Sequence, residues 1–144
     1  KLKISIVRLF SLYGPGLKKQ LLWDACQKVV SGNNVYSGTG LETRDWIYID
    51  DAASLILLAL EKSSILTPIF NGGSGKGISI QEFLIFLYNN FGIDITPNFN
   101  GIVREGDPLY FEANIEESLA LGWEPKILWK DGVLEYIKWY KSIN

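Results

Sequence analysis

Residues 44–51 (RDWIYIDD) place a charged pair at the start of a short apolar strand and a carboxylate pair at its end. The guanidinium of Arg44 offers N–H donors in a planar fork that suits two phosphate oxygens. The segment therefore predicts a diphosphate ligand beside Arg44. Asp50 and Asp51 precede an apolar run, where a carboxylate can accept from the unpaired amides of a helix start. We interpret this acidic pair mainly as helix capping.

Two arginines have structural alternatives to ligand binding. Arg8 lies inside an apolar strand, where we expect it to be neutralised by a neighbouring carboxylate. For Arg44 the alternative is an ion pair with Asp45 or with a helix carboxylate. Its place at a strand end, where binding residues concentrate, favours the ligand. Trp46 and Tyr48 are expected to pack in the core.

The composition limits the classes of function. The 144-residue chain is 47% hydrophobic and 13% aromatic, which suits a single domain with an apolar core. Its net charge of −2 is spread along the sequence, so we expect no nucleic-acid partner and no membrane partner. The absence of histidine excludes a histidine metal site and a Ser-His or Cys-His catalytic pair. Cys26, the single cysteine, lies among apolar residues and is expected in the core.

The chain contains no long apolar stretch and no secretory leader, which favours a cytoplasmic protein. It has no methionine and begins at Lys1 within a strand pattern, which is typical of a fragment. That pattern, over residues 1–10, becomes almost continuously apolar and predicts a strand buried on both faces of a parallel sheet.

Helical periodicity and capping signals predict five helices that would position these residues. They cover residues 17–31, 51–62, 79–92, 114–122 and 129–142. Residues 11–16 predict a turn, and residues 35–37 and 93–100 predict extended segments. The glycine-rich residues 72–77 lack the spacing of a phosphate-binding loop, because Phe70 and Gly77 occupy two of its required positions.

Five segments together resemble the second half of the NAD-dependent sugar-nucleotide epimerases and dehydratases, the extended short-chain dehydrogenase family. They are residues 8–16 (RLFSLYGPG), 44–51 (RDWIYIDD), 70–75 (FNGGSG), 104–107 (REGD) and 121–125 (LGWEP). The resemblance implies an α/β fold: the C-terminal substrate-binding lobe of an extended Rossmann-type enzyme. Residues 1–32 would supply one strand and one helix of the cofactor-binding parallel sheet. Residues 33–144 would form the sugar-nucleotide lobe, a small mixed α/β subdomain.

The resemblance also implies roles for charged residues. In the family, the arginines of the RDW and RxGD segments hold the nucleotide diphosphate, which assigns Arg44 and Arg104. The aspartate of RxGD contacts the ribose, which assigns Asp107. Two arginines from separate loops can clamp a diphosphate, and a carboxylate can accept from vicinal hydroxyls, so these assignments agree with the chemistry.

Uncharged residues receive roles from the same resemblance. Val35 and Tyr36 match the stretch that meets the nucleobase. Ser11 stands where the family commonly has an asparagine that reaches the substrate. The backbone of Phe10, Ser11 and Leu12 would lie near the nicotinamide of NAD.

Two family elements do not occur in these 144 residues. No glycine triplet of the dinucleotide fingerprint opens a helix, and no tyrosine stands four residues before a lysine. We therefore expect this chain to be the sugar-nucleotide-binding part of an NAD-dependent enzyme and to be inactive alone.

Among the reactions of the family, a UDP-hexose 4-epimerase is favoured over a 4,6-dehydratase, although Trp46 is an argument for the dehydratase. The alternatives are a dehydratase fragment and a stand-alone nucleotide-sugar binding module. Self-association through an exposed first strand is a further expectation.

Overall fold

The computed structural model describes residues 1–103 and 105–144. Within them the chain forms seven strands and five helices, in the order β1 (Ile6–Leu9), β2 (Ser11–Tyr13), α1 (Gln20–Ser31), β3 (Val35–Tyr36), β4 (Thr43–Tyr48), α2 (Ile49–Glu61), β5 (Ile69–Gly72), β6 (Gly77–Ser79), α3 (Ile80–Phe91), β7 (Asn98–Phe99), α4 (Glu116–Ala120) and α5 (Trp129–Ile143). Strand β1 pairs with β5, β2 with β4 and β3 with β7, all in parallel, while β6 runs antiparallel to β4. The predicted α/β fold is confirmed.

The first strand differs from the prediction in extent and in burial. It begins at Ile6 and, after Phe10, continues as β2, so residues 11–13 form a strand that was predicted as part of a turn. Ile6 is 41% exposed, so β1 is not buried on both faces. Arg8 is exposed and forms no salt bridge with any described residue. The prediction that a neighbouring carboxylate neutralises Arg8 is therefore wrong.

Strand β4 lies between two apolar clusters, because successive side chains of a strand point to opposite faces. Trp46 and Tyr48 pack with Tyr13, Phe83 and residues of α1, α3 and α5. Ile47 points the other way and packs with α2, Phe70 and Trp123. The same alternation places Arg44 on the face of Trp46 and Asp45 on the face of Ile47. Trp46 and Tyr48 are core residues, as predicted.

Helix α1 begins three residues later than predicted. Its buried residues are Leu22, Ala25, Cys26 and Val29, whereas the neighbouring Val30 is 67% exposed. The helix ends as predicted at Gly32, whose φ of 74° lies in the left-handed region that glycine adopts without strain. Cys26 is buried, as expected for a small core residue.

Asp50 and Asp51 do not cap helix α2, which corrects the prediction. The helix begins at Ile49, and its N-cap residue, Tyr48, makes no side-chain capping bond. The Asp51 carboxylate instead accepts hydrogen bonds from the amides of Lys126 and Ile127, at 3.1 and 2.9 Å. Asp51 thus ties the start of α2 to the segment before α5. Asp50 is exposed in the first turn, where negative charge is favoured by the helix dipole.

The remaining helices follow the sequence more closely. Ser79 caps α3 by accepting from the amide of Glu82, as predicted, and the helix ends at Gly92. Helix α4 is shorter than predicted, because Asn114 accepts from the amide of Glu116 in a local turn rather than capping a helix at residue 114. The extended segment 93–100 forms a strand only at β7. In the described part of the chain, no helix combines the length and the hydrophobicity that a membrane span requires.

An aromatic stack joins β2, β4, α3 and α5. Trp46 stacks on Phe83, with ring centroids 3.9 Å apart, and Phe83 stacks on Trp129 at 5.6 Å. Tyr13 meets Trp46 edge to face and donates its hydroxyl proton to the carbonyl of Trp129 at 3.1 Å. Helix α5 comes this close because position 132 carries no side chain. A Cβ there would overlap the Tyr13 hydroxyl and lie 2.8 Å from Cδ2 of Tyr48.

The substitution Gly132→Ala tests this close approach. Alanine in a helix interior ordinarily gains about 1 kcal/mol over glycine. The overlap with Tyr13 opposes this gain, and we expect the free energy of unfolding to fall by about 1–3 kcal/mol. Urea denaturation of this variant and of the exposed control Lys138→Ala measures the effect. An increase in stability for Gly132→Ala would show that α5 does not depend on this contact.

Candidate nucleotide-sugar site

A cavity of about 670 Å³ opens between α1, the segment 36–38, the start of β4 and the loop near residue 103. Its size lies within the range of about 300–1,000 Å³ that is usual for small-molecule sites. Among the residues predicted for the site, the cavity brings together Ser11, Tyr36, Arg44 and Asp107. These residues come from four separate segments of the chain, so the fold assembles them.

Arg44 is half-buried at the cavity wall. Its Nη1 donates to the carbonyl oxygens of Thr43 and Pro108, at 2.8 Å each. It forms no ion pair within residues 1–103 and 105–144, so the alternative of a partner in Asp45 is excluded. Two bonds on one nitrogen fix the guanidinium and leave its other nitrogens available for an anion.

Tyr36 is a buried residue of the cavity wall. Its hydroxyl lies 3.0 Å from the hydroxyl of Tyr88, and Tyr88 donates in turn to the carbonyl of Asn33. Burial, followed by the hydrogen bond with Tyr88, raises the pKa of Tyr36, so the phenol is neutral. The ammonium of Lys28 lies 4.3 Å from the centre of the Tyr36 ring. Tyr36 therefore provides an uncharged wall and not an acid or base near neutral pH.

The other predicted site residues lie elsewhere or cannot be placed. Val35 is exposed and does not line the cavity, and its carbonyl accepts from Lys28 at 2.8 Å. The Phe10 ring stacks on Phe111, with centroids 4.5 Å apart, and Leu12 packs beside the Ile47 cluster. Arg104 lies outside the described residues.

One wall of the cavity comes from a polar stripe of α1 that the sequence reasoning missed. Gln20, Asp24 and Lys28 all line the cavity. Lys28 forms a salt bridge with Asp24, with 3.1 Å between Nζ and Oδ2. The spacing of four residues was the available signal, because residues i, i+4 and i+8 share one face of a helix.

Glu42 holds the glycine turn at the cavity rim. Its carboxylate accepts from the amide and hydroxyl of Thr39, at 2.9 and 3.0 Å, and from the amide of Gly40 at 2.8 Å. Burial by itself raises the pKa of Glu42, but these hydrogen bonds lower it, and the balance leaves the pKa below its ordinary value of 4.5. The Glu42 carboxylate is thus hydrogen-bonded within the turn and does not pair with Arg44. The guanidinium of Arg44 therefore remains able to attract an anion.

The remaining candidate groups do not form a second chemical site. Burial raises the pKa of Cys26 to about 12, so this thiol is not a nucleophile near neutral pH. In the described part of the chain, no cluster of carboxylates and cysteine is arranged to hold a metal ion. In the glycine-rich loop, the amides of Ser74 and Gly75 donate to the carboxylate of Asp45 and are not available to a phosphate.

Of the three residues predicted to lie near the nicotinamide of NAD, one is placed to contact a ligand in the cavity. Ser11 lines the cavity, but the side chains of Phe10 and Leu12 are engaged in packing. The amide of Phe10 bonds to Gly72, and that of Leu12 bonds to the carbonyl of Phe10. The described residues therefore fit one edge of such a cofactor and do not form a cradle for a whole dinucleotide.

The fold and the site define an α/β protein with a cavity, lined in part by Arg44, beside the parallel strands β2 and β4. The sequence model of the NAD dependent epimerase/dehydratase family matches residues 1–73. The chain is 31% identical to the dTDP-L-rhamnose 4-epimerase of Burkholderia thailandensis over 96% of its own length and 40% of that protein. It is 30% identical to the CDP-abequose synthase of Salmonella typhimurium over 92% of its length and 46% of that protein. The chain belongs to the NAD-dependent epimerase/dehydratase family.

Solved structures give the same result. The crystal structure of a UDP-glucose 4-epimerase from Thermotoga maritima with UDP-glucose superposes with a TM-score of 0.88 at 26% identity. A UDP-glucuronic acid 4-epimerase from Bacillus cereus, in complex with UDP-glucuronic acid and NAD, also reaches 0.88, at 28% identity. Both comparisons cover 99% of this chain, but only 47% and 46% of those chains. The chain thus spans less than half the length of these relatives.

The pH dependence of stability tests the role of Glu42. Because its pKa is lower in the folded state than in the unfolded state, the folded state binds fewer protons and is stabilised above pH 4.5. This contribution is lost as the pH falls through the folded-state pKa. We expect Glu42→Gln to unfold more easily than the wild type near neutral pH, with the difference shrinking below pH 4.5. Urea titrations across this range measure it, with exposed Glu61→Gln as the control. A difference that does not change with pH would contradict this role.

Proposed function

We propose that this chain is the C-terminal, sugar-nucleotide-binding part of an NAD-dependent nucleotide-sugar epimerase of the UDP-hexose 4-epimerase type. The observation that carries the proposal is the position of Arg44, which borders the cavity without an ion-pair partner among the described residues. A relative from Methanocaldococcus jannaschii, a putative UDP-glucose 4-epimerase, is 31% identical over 74% of this chain. The solved epimerases described above support the same class of substrate.

The cavity suggests how a nucleotide sugar would bind. Arg44 would hold the diphosphate, because its fixed guanidinium offers several N–H donors to phosphate oxygens. Asp107, an exposed carboxylate on the opposite loop, would accept from the ribose hydroxyls. Tyr36 would form the wall against the nucleobase, next to Val35, and Ser11 would face the sugar and the nicotinamide. Arg104 is assigned to the diphosphate by the sequence resemblance alone.

The chemistry of the whole enzyme is part of the proposal. NAD, when bound, would accept a hydride from a sugar carbon and return it. Epimerisation is favoured, and the alternative of a nucleotide-sugar 4,6-dehydratase is supported by Trp46 and by the 26% identity to a bovine dTDP-D-glucose 4,6-dehydratase. Without a tyrosine four residues before a lysine, we expect the 144-residue chain to bind substrate without converting it.

Ligand titration tests the site. We expect a uridine diphosphate sugar to bind the wild-type chain and Arg44→Ala to weaken this binding about tenfold or more, because it removes a charged donor to the diphosphate. Arg8→Ala is the matched control, since Arg8 is an exposed strand arginine that does not line the cavity. Calorimetric titration with uridine, thymidine, guanosine and cytidine diphosphate sugars measures the affinities and ranks the nucleobases. Equal affinities for wild type and Arg44→Ala would remove Arg44 from the site.

The edge of the first strand supports a proposal about self-association. Strand β1 pairs only with β5 among the described strands, and apolar side chains are exposed around it at Leu2, Ile4, Ile6 and Ile69. An unpaired edge with apolar neighbours invites pairing with another chain. We expect the average mass in solution to rise with concentration above the 16.2 kDa of one chain, and Ile6→Lys to reduce this rise. Light scattering measures it, and a mass of 16.2 kDa at every concentration would rule out self-association.

A further inference from the structure

Asp45 is a fully buried carboxylate that has no salt bridge within the described residues. Its Oδ1 accepts from the amide and the hydroxyl of Ser74, at 2.5 and 2.8 Å. Its Oδ2 accepts from the amides of Gly75 and Ala113, at 3.0 Å each. A buried charge is tolerated when such donors replace water. Asp45 therefore joins strand β4 to two distant parts of the chain.

One of these parts is the segment of residues 107–113, which we call the strap. It runs along β4 and is held there by a series of hydrogen bonds. The carbonyl of Pro108 accepts from Arg44 at 2.8 Å, and the carbonyl of Leu109 accepts from the amide of Thr43 at 2.9 Å. The amide of Phe111 donates to Oγ1 of Thr43 at 3.3 Å. Asp45 holds the end of the strap through Ala113.

The strap carries part of the proposed ligand site. Asp107 is its first residue and lines the cavity, and its second residue, Pro108, anchors the guanidinium of Arg44. If the strap were released from β4, Asp107 would move away from the cavity and Arg44 would lose one of its two fixed acceptors. The positions of the Asp107 carboxylate and the Arg44 guanidinium thus depend on contacts on the opposite face of β4, where Asp45 lies.

We propose that Asp45 is a positioning residue for the diphosphate and ribose contacts, acting through the strap. This inference rests on the proposed function, since it takes the cavity as a nucleoside diphosphate site. Asp45 does not line the cavity itself, because neighbouring side chains of β4 point to opposite faces. From the opposite face of β4, Asp45 fixes the positions of Arg44 and Asp107.

The geometry explains why a carboxylate is needed. Donors surround both oxygens of Asp45, two on each. In Asp45→Asn one oxygen becomes an NH₂ group, which is itself a donor. Whichever way the amide is turned, at least one backbone amide then faces another donor: that of Ser74 in one orientation, or those of Gly75 and Ala113 in the other. The substitution keeps the size of the side chain and removes half of its acceptors.

Asp51 provides a matched control at the other end of β4. It is also a buried carboxylate, and it accepts from the amides of Lys126 and Ile127. Those amides belong to the segment before α5, and neither Asp51 nor that segment lines the cavity. Asp51→Asn should therefore lower stability as Asp45→Asn does, but without an effect on ligand affinity.

The experiment combines calorimetric titration with UDP and amide hydrogen exchange on the 144-residue chain. We expect Asp45→Asn to raise the Kd for UDP about tenfold and Asp51→Asn to change it less than about twofold. We also expect faster exchange at the amides of Thr43 and Phe111 in Asp45→Asn but not in Asp51→Asn. Thr43→Val, which removes the acceptor of the Phe111 amide with little change of shape, should raise the Kd in the same direction. This variant tests the strap even if Asp45→Asn does not fold.

Different results separate the two proposals. If wild type binds UDP and both Asp45→Asn and Thr43→Val bind it equally well, the positioning role is wrong. Unchanged exchange at Thr43 and Phe111 in Asp45→Asn would also overturn it. If wild type does not bind UDP while Asp45→Asn releases these amides, the proposed function fails and the ligand part of this inference fails with it. The exchange result then establishes that Asp45 holds the strap.

Discussion

The burial of three carboxylates near strand β4 is the constraint on which the rest of the structure depends. Glu42, Asp45 and Asp51 are all buried, and in the described part of the chain none has a salt-bridge partner. Each is stabilised by backbone amides, which come from the glycine turn 38–40, from the loop at residues 74–75 and the strap, and from the segment before α5. Because a buried charge cannot be left without donors, these segments are tied to one strand. The cavity is formed where two of them meet.

This arrangement also sets the electrostatics of the cavity. Among the charged side chains that line it, Lys28 is paired with Asp24, and Glu42 is satisfied by the glycine turn. Among the described residues that line the cavity, Arg44 is the cation that has no carboxylate partner. A chain with a net charge of −2 can therefore offer a local site for an anion. The charge of Arg44 is available to a ligand because of its position and not because of an excess of basic residues.

Much of the secondary structure and part of the site could be predicted from the sequence. The strand after Arg44, the Ser79 cap, the Gly32 and Gly92 helix ends and the last helix follow local rules of propensity and capping. The resemblance to the family assigns Arg44 and Asp107 to the ligand, and both line the cavity. These signals extend over a few neighbouring residues, so they can be recognised in the sequence itself.

The roles of the buried carboxylates could not be predicted, because their partners are distant in sequence. Asp51 looked like a helix cap, yet its acceptor atoms bind amides 75 and 76 residues away. Asp45 looked like a partner for Arg44, yet the alternation along β4 turns it toward Ala113, 68 residues away. Long-range pairing of this kind is decided by the packing of the whole chain.

We propose that the cavity beside Arg44 binds a nucleotide sugar. Titration of the isotopically labelled chain with UDP-glucose, followed by amide chemical shifts, tests this proposal. We expect shifts at Ser11, Ser37, Gly38 and Arg44, which line the cavity, with small changes at the separate groove near Asn89 and Trp129. Shifts confined to that groove, or no shifts at saturating ligand, would contradict it.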